Sequence, residues 1–96
     1  MTKPTTIYDS TVDSSPGPLH RIPPGIQYIE VVGAMSSDSI QIQATLDDTG
    51  SDWKNITDLV FTEATKKLDV IRGGINIRVV HTGSEELSVV TEKGSA

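Results

Sequence analysis

The sequence predicts an all-β fold, namely a small antiparallel β-sandwich of the jelly-roll or immunoglobulin-like type with an extended N-terminal arm. Three observations support this prediction. Apolar and polar residues alternate in short segments between Ile26 and Thr91, turn-forming residues separate these segments at intervals of about ten residues, and all five prolines lie before that region. The predicted domain organisation is therefore an arm over residues 1–25 and a sandwich over residues 26–96.

The arm is defined by proline, which lacks a backbone N–H and presets an extended backbone. We therefore expect no interior helix or strand in this segment, which contains Pro4, Pro16, Pro18, Pro23 and Pro24. Two interpretations remain open: a disordered tail, or an arm that becomes ordered on a neighbouring subunit. In the second case the contacts would be made by its isolated apolar residues, which are Ile7, Tyr8, Val12, Leu19 and Ile22.

The first two strands of the predicted sandwich follow from a two-residue period. In the segment from Ile26 to Val32, Ile29 and Val31 share one face with Gln27. In the next strand Ile40, Ile42, Ala44 and Leu46 alternate with polar residues, which predicts one buried and one solvated face. A turn rich in Asp and Gly is expected over residues 47–52.

The region after this turn admits alternatives. Trp53 is expected to be the central aromatic residue of the core, although an exposed indole would instead offer a platform for a sugar. The segment from Thr57 to Ile71 fits either a helix or two short strands, Leu59 to Thr62 and Leu68 to Ile71. We favour strands because the β-branched content is high and the flanking strands need neighbours in a sheet.

The C-terminal third is predicted to contain two strands. Gly73 and Gly74 precede the segment from Ile75 to Val80, in which Ile75, Ile77 and Val79 face inward and Asn76, Arg78 and Val80 face outward. A turn is expected over residues 81–86, followed by a last strand over residues 87–91.

Composition limits the classes of function. Eight basic against thirteen acidic residues give a net charge of −5, which argues against nucleic acid as a partner. No apolar run is long enough for a membrane span or a signal peptide, so we expect a soluble protein made in a cytosol, with no membrane partner. The absence of cysteine excludes disulfides and thiolate chemistry.

No pattern in the sequence predicts catalysis or a cofactor. Asp47, Asp48 and Asp52, with Asp38, would be candidate calcium ligands, but their spacing departs from the EF-hand loop and a solvated turn explains them better. His20 and His81 are distant from each other and lie in no triad-like pattern. We therefore predict a protein that is not an enzyme and holds neither metal nor cofactor.

Arg78 alternates with apolar neighbours in a predicted strand, so three roles are open to it. Its guanidinium would protect a sheet edge from pairing with another chain, bind a carboxylate across an interface, or form an ordinary ion pair on the surface. Together with the five apolar residues of the arm, Arg78 completes the set of candidate interface residues.

Two stretches, ATLDDTGSDWKNIT and GGINIRVVHTG, resemble a recurrent β-sandwich domain of tailed-bacteriophage virion proteins. The resemblance covers residues 26–91 and excludes the arm. It implies a structural virion component, a capsid cement or decoration protein or a head accessory protein, with a tail or neck accessory protein as the alternative. It carries no catalytic residues.

The expected partners follow from this resemblance and from the size of the core. They are the major capsid protein or other virion proteins, and the expected location is the virion, after synthesis in the host cytoplasm. A small core with few aromatic residues further predicts a homo-oligomer, for instance a trimer, because association would cover open sheet edges. A carbohydrate-binding module that uses Trp53 or Tyr28 is the rival hypothesis.

Overall fold

The fold is an antiparallel β-sandwich built from short strands. The computed structural model describes residues 5–22, 25–33, 35–45, 51–63, 66–71 and 75–93. These residues form eight strands: β1 (Thr5–Asp9), β2 (His20–Ile22), β3 (Gly25–Gly33), β4 (Ser39–Thr45), β5 (Lys54–Phe61), β6 (Lys66–Ile71), β7 (Ile75–Thr82) and β8 (Leu87–Lys93). No helix that could cross a membrane occurs among them.

The strands form two four-stranded sheets, ordered β1-β8-β3-β6 and β2-β7-β4-β5. Every pairing is antiparallel. The longest pairings join strands distant in the sequence, β3 with β8 and β4 with β7, so the centre of each sheet is closed only by non-local contacts. The all-β sandwich predicted from the sequence is therefore confirmed.

The core lies between the sheets and consists of the inward faces of the strands. Ile40 and Ile42 on β4 are fully buried, and so are Ile77 and Val79 on β7. The residues between the members of each pair, Gln41 and Arg78, are half-buried. This alternation confirms the predicted inward positions of these four buried residues and, on β3, of Ile29 and Val31. The prediction is wrong for Thr45 and Asn76, which were expected on the solvated face but are 4% and 3% exposed. The remaining core side chains are Ile7, Tyr8, Ile22, Leu59, Phe61, Leu87 and Val89.

The segment between Thr57 and Ile71, for which strands were favoured over a helix, contains parts of two strands in its described residues. β5 ends at Phe61 and β6 begins at Lys66, and the two strands belong to different sheets. On β5 the side chains of Leu59 and Phe61 are buried while Val60 between them is 40% exposed. This two-residue period is that of a strand with one buried face.

Trp53 does not fill the place that the sequence predicted for it. The indole is half-buried, immediately precedes β5 and is absent from the core, in which Phe61 is the largest fully buried side chain. The guanidinium of Arg78 lies over the indole ring, with Cζ 4.4 Å from the ring centroid. Trp53 therefore packs on the outside of the β2-β7-β4-β5 sheet.

The described part of the segment over residues 1–25, for which no interior helix or strand is expected, contributes two edge strands to the sandwich. β1 pairs with β8 and β2 pairs with β7, and both are edge strands. Ile7, Tyr8 and Ile22 are 3%, 2% and 3% exposed and belong to the core. Proline is compatible with this arrangement because Pro16 and Pro18 lie in the connection between the strands, where no ladder donor is required.

Substitutions at Ile7 and Val12 separate an integrated N-terminal segment from a detached arm. Ile7→Ala should lower the free energy of unfolding by about 2 to 5 kcal/mol, because it opens a cavity in the core. Val12 is 78% exposed, so Val12→Ala should change it by less than about 0.5 kcal/mol. Urea denaturation of both variants measures the difference, and an equally small effect at both positions would contradict the fold described here.

Candidate functional site

Three side chains that could take part in acid–base chemistry form a buried group. We call it the His81 cluster, and it consists of Tyr8, Asp38 and His81. Tyr8 comes from β1, Asp38 from the residues that precede β4, and His81 from β7. The Tyr8 hydroxyl lies 3.0 Å from His81 Nδ1, and His81 Nε2 lies 2.6 Å from Asp38 Oδ2. The Tyr8 and His81 rings meet edge to face, with their centroids 5.6 Å apart.

For a neutral His81 imidazole, the hydrogen-bonding capacities of the three groups assign one direction to this chain. A carboxylate only accepts, so Nε2–H of His81 donates to Asp38. In the neutral imidazole Nδ1 is then the acceptor, and the Tyr8 hydroxyl donates to it. Burial raises the pKa of Tyr8, and the nearby carboxylates of Asp13, Asp38 and Asp9 raise it further, so the phenol keeps its proton.

Asp38 is also engaged with the β7–β8 connection. Its Oδ2 accepts a second hydrogen bond, of 2.6 Å, from the backbone N–H of Glu85. Gly83, with a φ of +120°, passes directly over the Asp38 carboxyl group, and a Cβ at this position would overlap it. The close approach and the backbone conformation both require glycine.

The side chain of Glu85 in turn contacts the segment that contains Asp38. Its carboxylate binds the backbone that precedes β4. The carboxylate accepts hydrogen bonds of 2.8 to 3.0 Å from the backbone N–H groups of Ser36, Ser37 and Asp38, and one of 2.7 Å from Ser36 Oγ. Bonds from Ser36 first, then from the other two amides, lower the pKa of Glu85 to about 2. Asp38 and Glu85 thus clamp two loops together reciprocally.

A groove of about 550 Å³ opens beside the His81 cluster. Its hydroxyl groups are largely engaged in the fold: Ser15 Oγ accepts from the His81 backbone N–H at 2.9 Å, and Ser10 Oγ accepts from the Leu87 N–H at 2.9 Å. The Nδ1 lone pair of His81 accepts from the Tyr8 hydroxyl, and both side chains are buried, so this lone pair is not presented to a substrate in the groove. The geometry therefore favours a structural over a catalytic role for the cluster.

Sequence inspection placed His81 in a turn and found no partner for it. The structure corrects this, because β7 continues to Thr82 and turns the His81 side chain into the protein. Its partners lie 43 and 73 positions away in the sequence, so no local pattern connects them. His20, on β2, takes no part in the cluster.

The proposed acidic metal site is not assembled among the described residues. Asp38 is buried in the His81 cluster, and Asp52 is exposed and pairs with Lys54, whose Nζ lies 3.3 Å from Oδ1. Asp47 and Asp48 lie outside the described residues. Over the described ranges, no group of three or more His, Asp or Glu side chains is arranged to hold a metal ion.

A second candidate site lies on the outer surface of the β2-β7-β4-β5 sheet, and we call it the Trp53–Arg78 face. Arg78 Nε donates to Gln43 Oε1 at 2.8 Å, and Gln43 Nε2 donates to Asn55 Oδ1 at 2.9 Å. Arg78, Gln43 and Asn55 are directly cross-strand neighbours on β7, β4 and β5, so they form one row across the sheet.

A second row of the Trp53–Arg78 face runs alongside the first. Gln41 pairs with Val80 on one side and with Val60 on the other. Val60 is 40% exposed and Val80 is half-buried. The face therefore combines an indole, an arginine, three amide side chains and two valines, which together define it as Trp53, Arg78, Gln41, Gln43, Asn55, Val60 and Val80.

The candidate interface residues of the sequence analysis thus divide into two groups. Ile7, Tyr8 and Ile22 are buried within the chain and are not available as anchors for another subunit. Val12 and Leu19, at 78% and 43% exposure, are accessible in the β1–β2 connection. Arg78 is the member that the structure places in an organised surface.

Comparisons of the chain with protein-family models, with curated proteins and with solved structures find no match.

The carboxylate of Glu85 should make stability depend on pH. Because its pKa in the fold is about 2 against an ordinary 4.5, its stabilising contribution is complete above pH 4.5 and is lost as the pH falls towards 2. Glu85→Gln should therefore lower the melting temperature at pH 7, with the difference from the parent protein shrinking below pH 4.5 and vanishing near pH 2.

Glu86→Gln provides the control, since it makes the same change of charge at the neighbouring, exposed residue. Melting temperatures recorded from pH 2 to pH 7 for the parent protein and both variants give the comparison. Equal pH profiles for the two variants would show that general charge, and not the clamp, is responsible.

Proposed function

We propose that this chain is a structural, non-enzymatic protein of a bacteriophage virion. In this role it is a capsid cement or decoration protein, or a head accessory protein, that stabilises the shell through protein–protein contacts. Its partners are the major capsid protein or other virion proteins, and a tail or neck location is the alternative within the same class.

The observation that carries this proposal is the Trp53–Arg78 face. Tryptophan and arginine are enriched at the energetically dominant positions of protein interfaces, and exposed valines beside them add apolar area. Here the arginine is held in place by Trp53 and Gln43 before any partner binds. Such preorganisation lowers the conformational entropy lost on association.

The side chains of the His81 cluster bond to one another, and this supports a function of the protein at its surface rather than in a pocket. The three side chains satisfy one another, and none of the buried side-chain nitrogen or oxygen atoms described lacks a hydrogen-bond partner. A catalytic base needs a free lone pair within reach of a substrate proton. The resemblance of residues 26–91 to virion β-sandwich domains supports the assignment to a phage particle.

The rival carbohydrate-binding hypothesis is less well supported by the geometry. A sugar ring stacks on an open aromatic face, whereas Arg78 covers one face of the Trp53 indole. Tyr28 is half-buried on β3. The proposed function therefore relies on contacts between proteins, with the sandwich itself, rather than a detached arm, as the contacting body.

Deletion of the gene from the phage tests the proposal. Particles that lack the protein should release DNA at a lower temperature than complete particles, and addition of the purified chain should restore the original temperature. Arg78→Glu should bind about 30-fold more weakly, since truncating a dominant interface residue costs about 2 kcal/mol or more. Binding to deleted particles is measured by cosedimentation.

Glu86→Lys is the matched control, because it reverses an exposed charge in the β7–β8 connection, outside the Trp53–Arg78 face. It should bind as the parent protein does. Mass spectrometry of purified particles that detects none of this chain would refute the proposal.

A further inference from the structure

We infer that Arg78 is a preformed receptor for a carboxylate group, and that the protein bound at the Trp53–Arg78 face presents an Asp or Glu side chain to it. The inference deepens the proposed function because it specifies the chemistry of the partner. The geometry on which it is based is a property of the isolated chain and holds for any protein partner.

The guanidinium of Arg78 is fixed from two directions. The indole of Trp53 lies against its plane at 4.4 Å, and Gln43 Oε1 accepts from Nε at 2.8 Å. Gln43 is itself held, since its amide nitrogen donates to Asn55 Oδ1. A free arginine side chain loses rotamer entropy when it is immobilised, and here that loss has already occurred on folding.

This arrangement consumes only one edge of the guanidinium. The Nε–H is used by Gln43, whereas both Nη groups take part in no hydrogen bond or ion pair with the residues that the structure describes. The two Nη groups form a planar fork whose spacing matches the two oxygens of a carboxylate. The unused end of Arg78 is thus the end that recognises carboxylates bidentately.

Arg78 differs in this respect from Lys54, the residue that follows Trp53 in the sequence. Lys54 is largely exposed and pairs with Asp52 of the same chain at 3.3 Å. On a protein with a net charge of −5, Arg78 is a half-buried cation that forms no ion pair within the described part of the chain, which makes it a local exception. Charge complementarity therefore selects an acidic group for this position.

The surroundings favour a protein as the source of the carboxylate. Val60 and Val80 flank Gln41 beside the arginine, and they offer apolar contact to an apolar neighbour of the acidic residue. A phosphate polymer carries many negative charges, so the net negative charge of the chain repels it more strongly than it repels a single carboxylate. An acidic sugar is disfavoured because Arg78 covers one face of the Trp53 indole, on which a sugar ring would stack.

Nuclear magnetic resonance titration with short capped peptides tests the inference without any virion component. The probes are acetyl-Val-Glu-Val-amide and its twin acetyl-Val-Gln-Val-amide, added to the full chain while the Arg78 Nε–H and Trp53 indole N–H resonances are followed. The Glu peptide should shift both resonances saturably, and the Gln peptide should bind about tenfold more weakly, because a charged acceptor makes the stronger hydrogen bond.

Arg78→Lys retains the charge but loses the fork and the planar stacking, so it should bind the Glu peptide about tenfold more weakly. Inorganic phosphate and glucuronate are titrated in parallel. Equal binding of the two peptides by the parent chain, an undiminished affinity in Arg78→Lys, or tighter binding of phosphate or glucuronate than of the Glu peptide would each overturn the inference.

These outcomes are independent of the particle experiment. If the Glu peptide binds at Arg78 but virions contain none of the chain, the receptor stands and the virion assignment fails. If virions contain the chain but the two peptides bind equally, the reverse conclusion follows.

Discussion

The hydrogen-bonded chain from Tyr8 through His81 to Asp38 is the constraint on which the rest of the structure depends. Buried polar groups destabilise a fold unless each finds a partner, and these three groups find theirs in one another. The partners come from β1, β7 and the residues before β4, so satisfying them requires both sheets and the N-terminal segment to be in place. Glu85 and Gly83 extend the constraint to the β7–β8 connection. Apolar burial is non-directional, whereas the hydrogen bonds of this network require one relative arrangement of the two sheets.

This constraint also separates the two surfaces of possible interest. At the groove, histidine, tyrosine and the surrounding hydroxyl groups are used internally, so the residues typical of an active site act as structural ties. On the Trp53–Arg78 face the opposite holds, because Trp53 and Gln43 position the arginine while its Nη groups bond to none of the residues that the structure describes. We therefore place function on the outer sheet surface, and this agrees with a protein whose proposed task is to bind other proteins.

The sequence predicted what depends on local pattern. Alternation identified the buried faces of β4 and β7, because a strand's two-residue period is visible in consecutive letters, and β-branched content favoured strand over helix before Ile71. Non-local pairing was not predictable from the sequence. The prolines argued against strands in the N-terminal segment, yet Ile7 and Ile22 lie on edge strands. Proline prevents a ladder hydrogen bond only at its own position, and residues near it can still pair. Trp53 was assigned to the core from its apolar area alone, while its position depends on Arg78. The His81 cluster was not predictable because it joins residues up to 73 positions apart. The contact of Gly83 with the Asp38 carboxyl group is likewise not visible in the local sequence.

The most direct test of the central claim is histidine nitrogen-15 resonance spectroscopy of the intact chain, compared with Tyr8→Phe. The account predicts that His81 in the parent protein is the Nε2–H tautomer, with a slowly exchanging Nε2 proton hydrogen-bonded to Asp38 and an Nδ1 resonance typical of a hydrogen-bond acceptor. In Tyr8→Phe the Nδ1 resonance should move and the free energy of unfolding should fall by about 1 to 3 kcal/mol, since a buried acceptor loses its donor. A rapidly exchanging His81 ring that is unaffected by Tyr8→Phe would contradict the account.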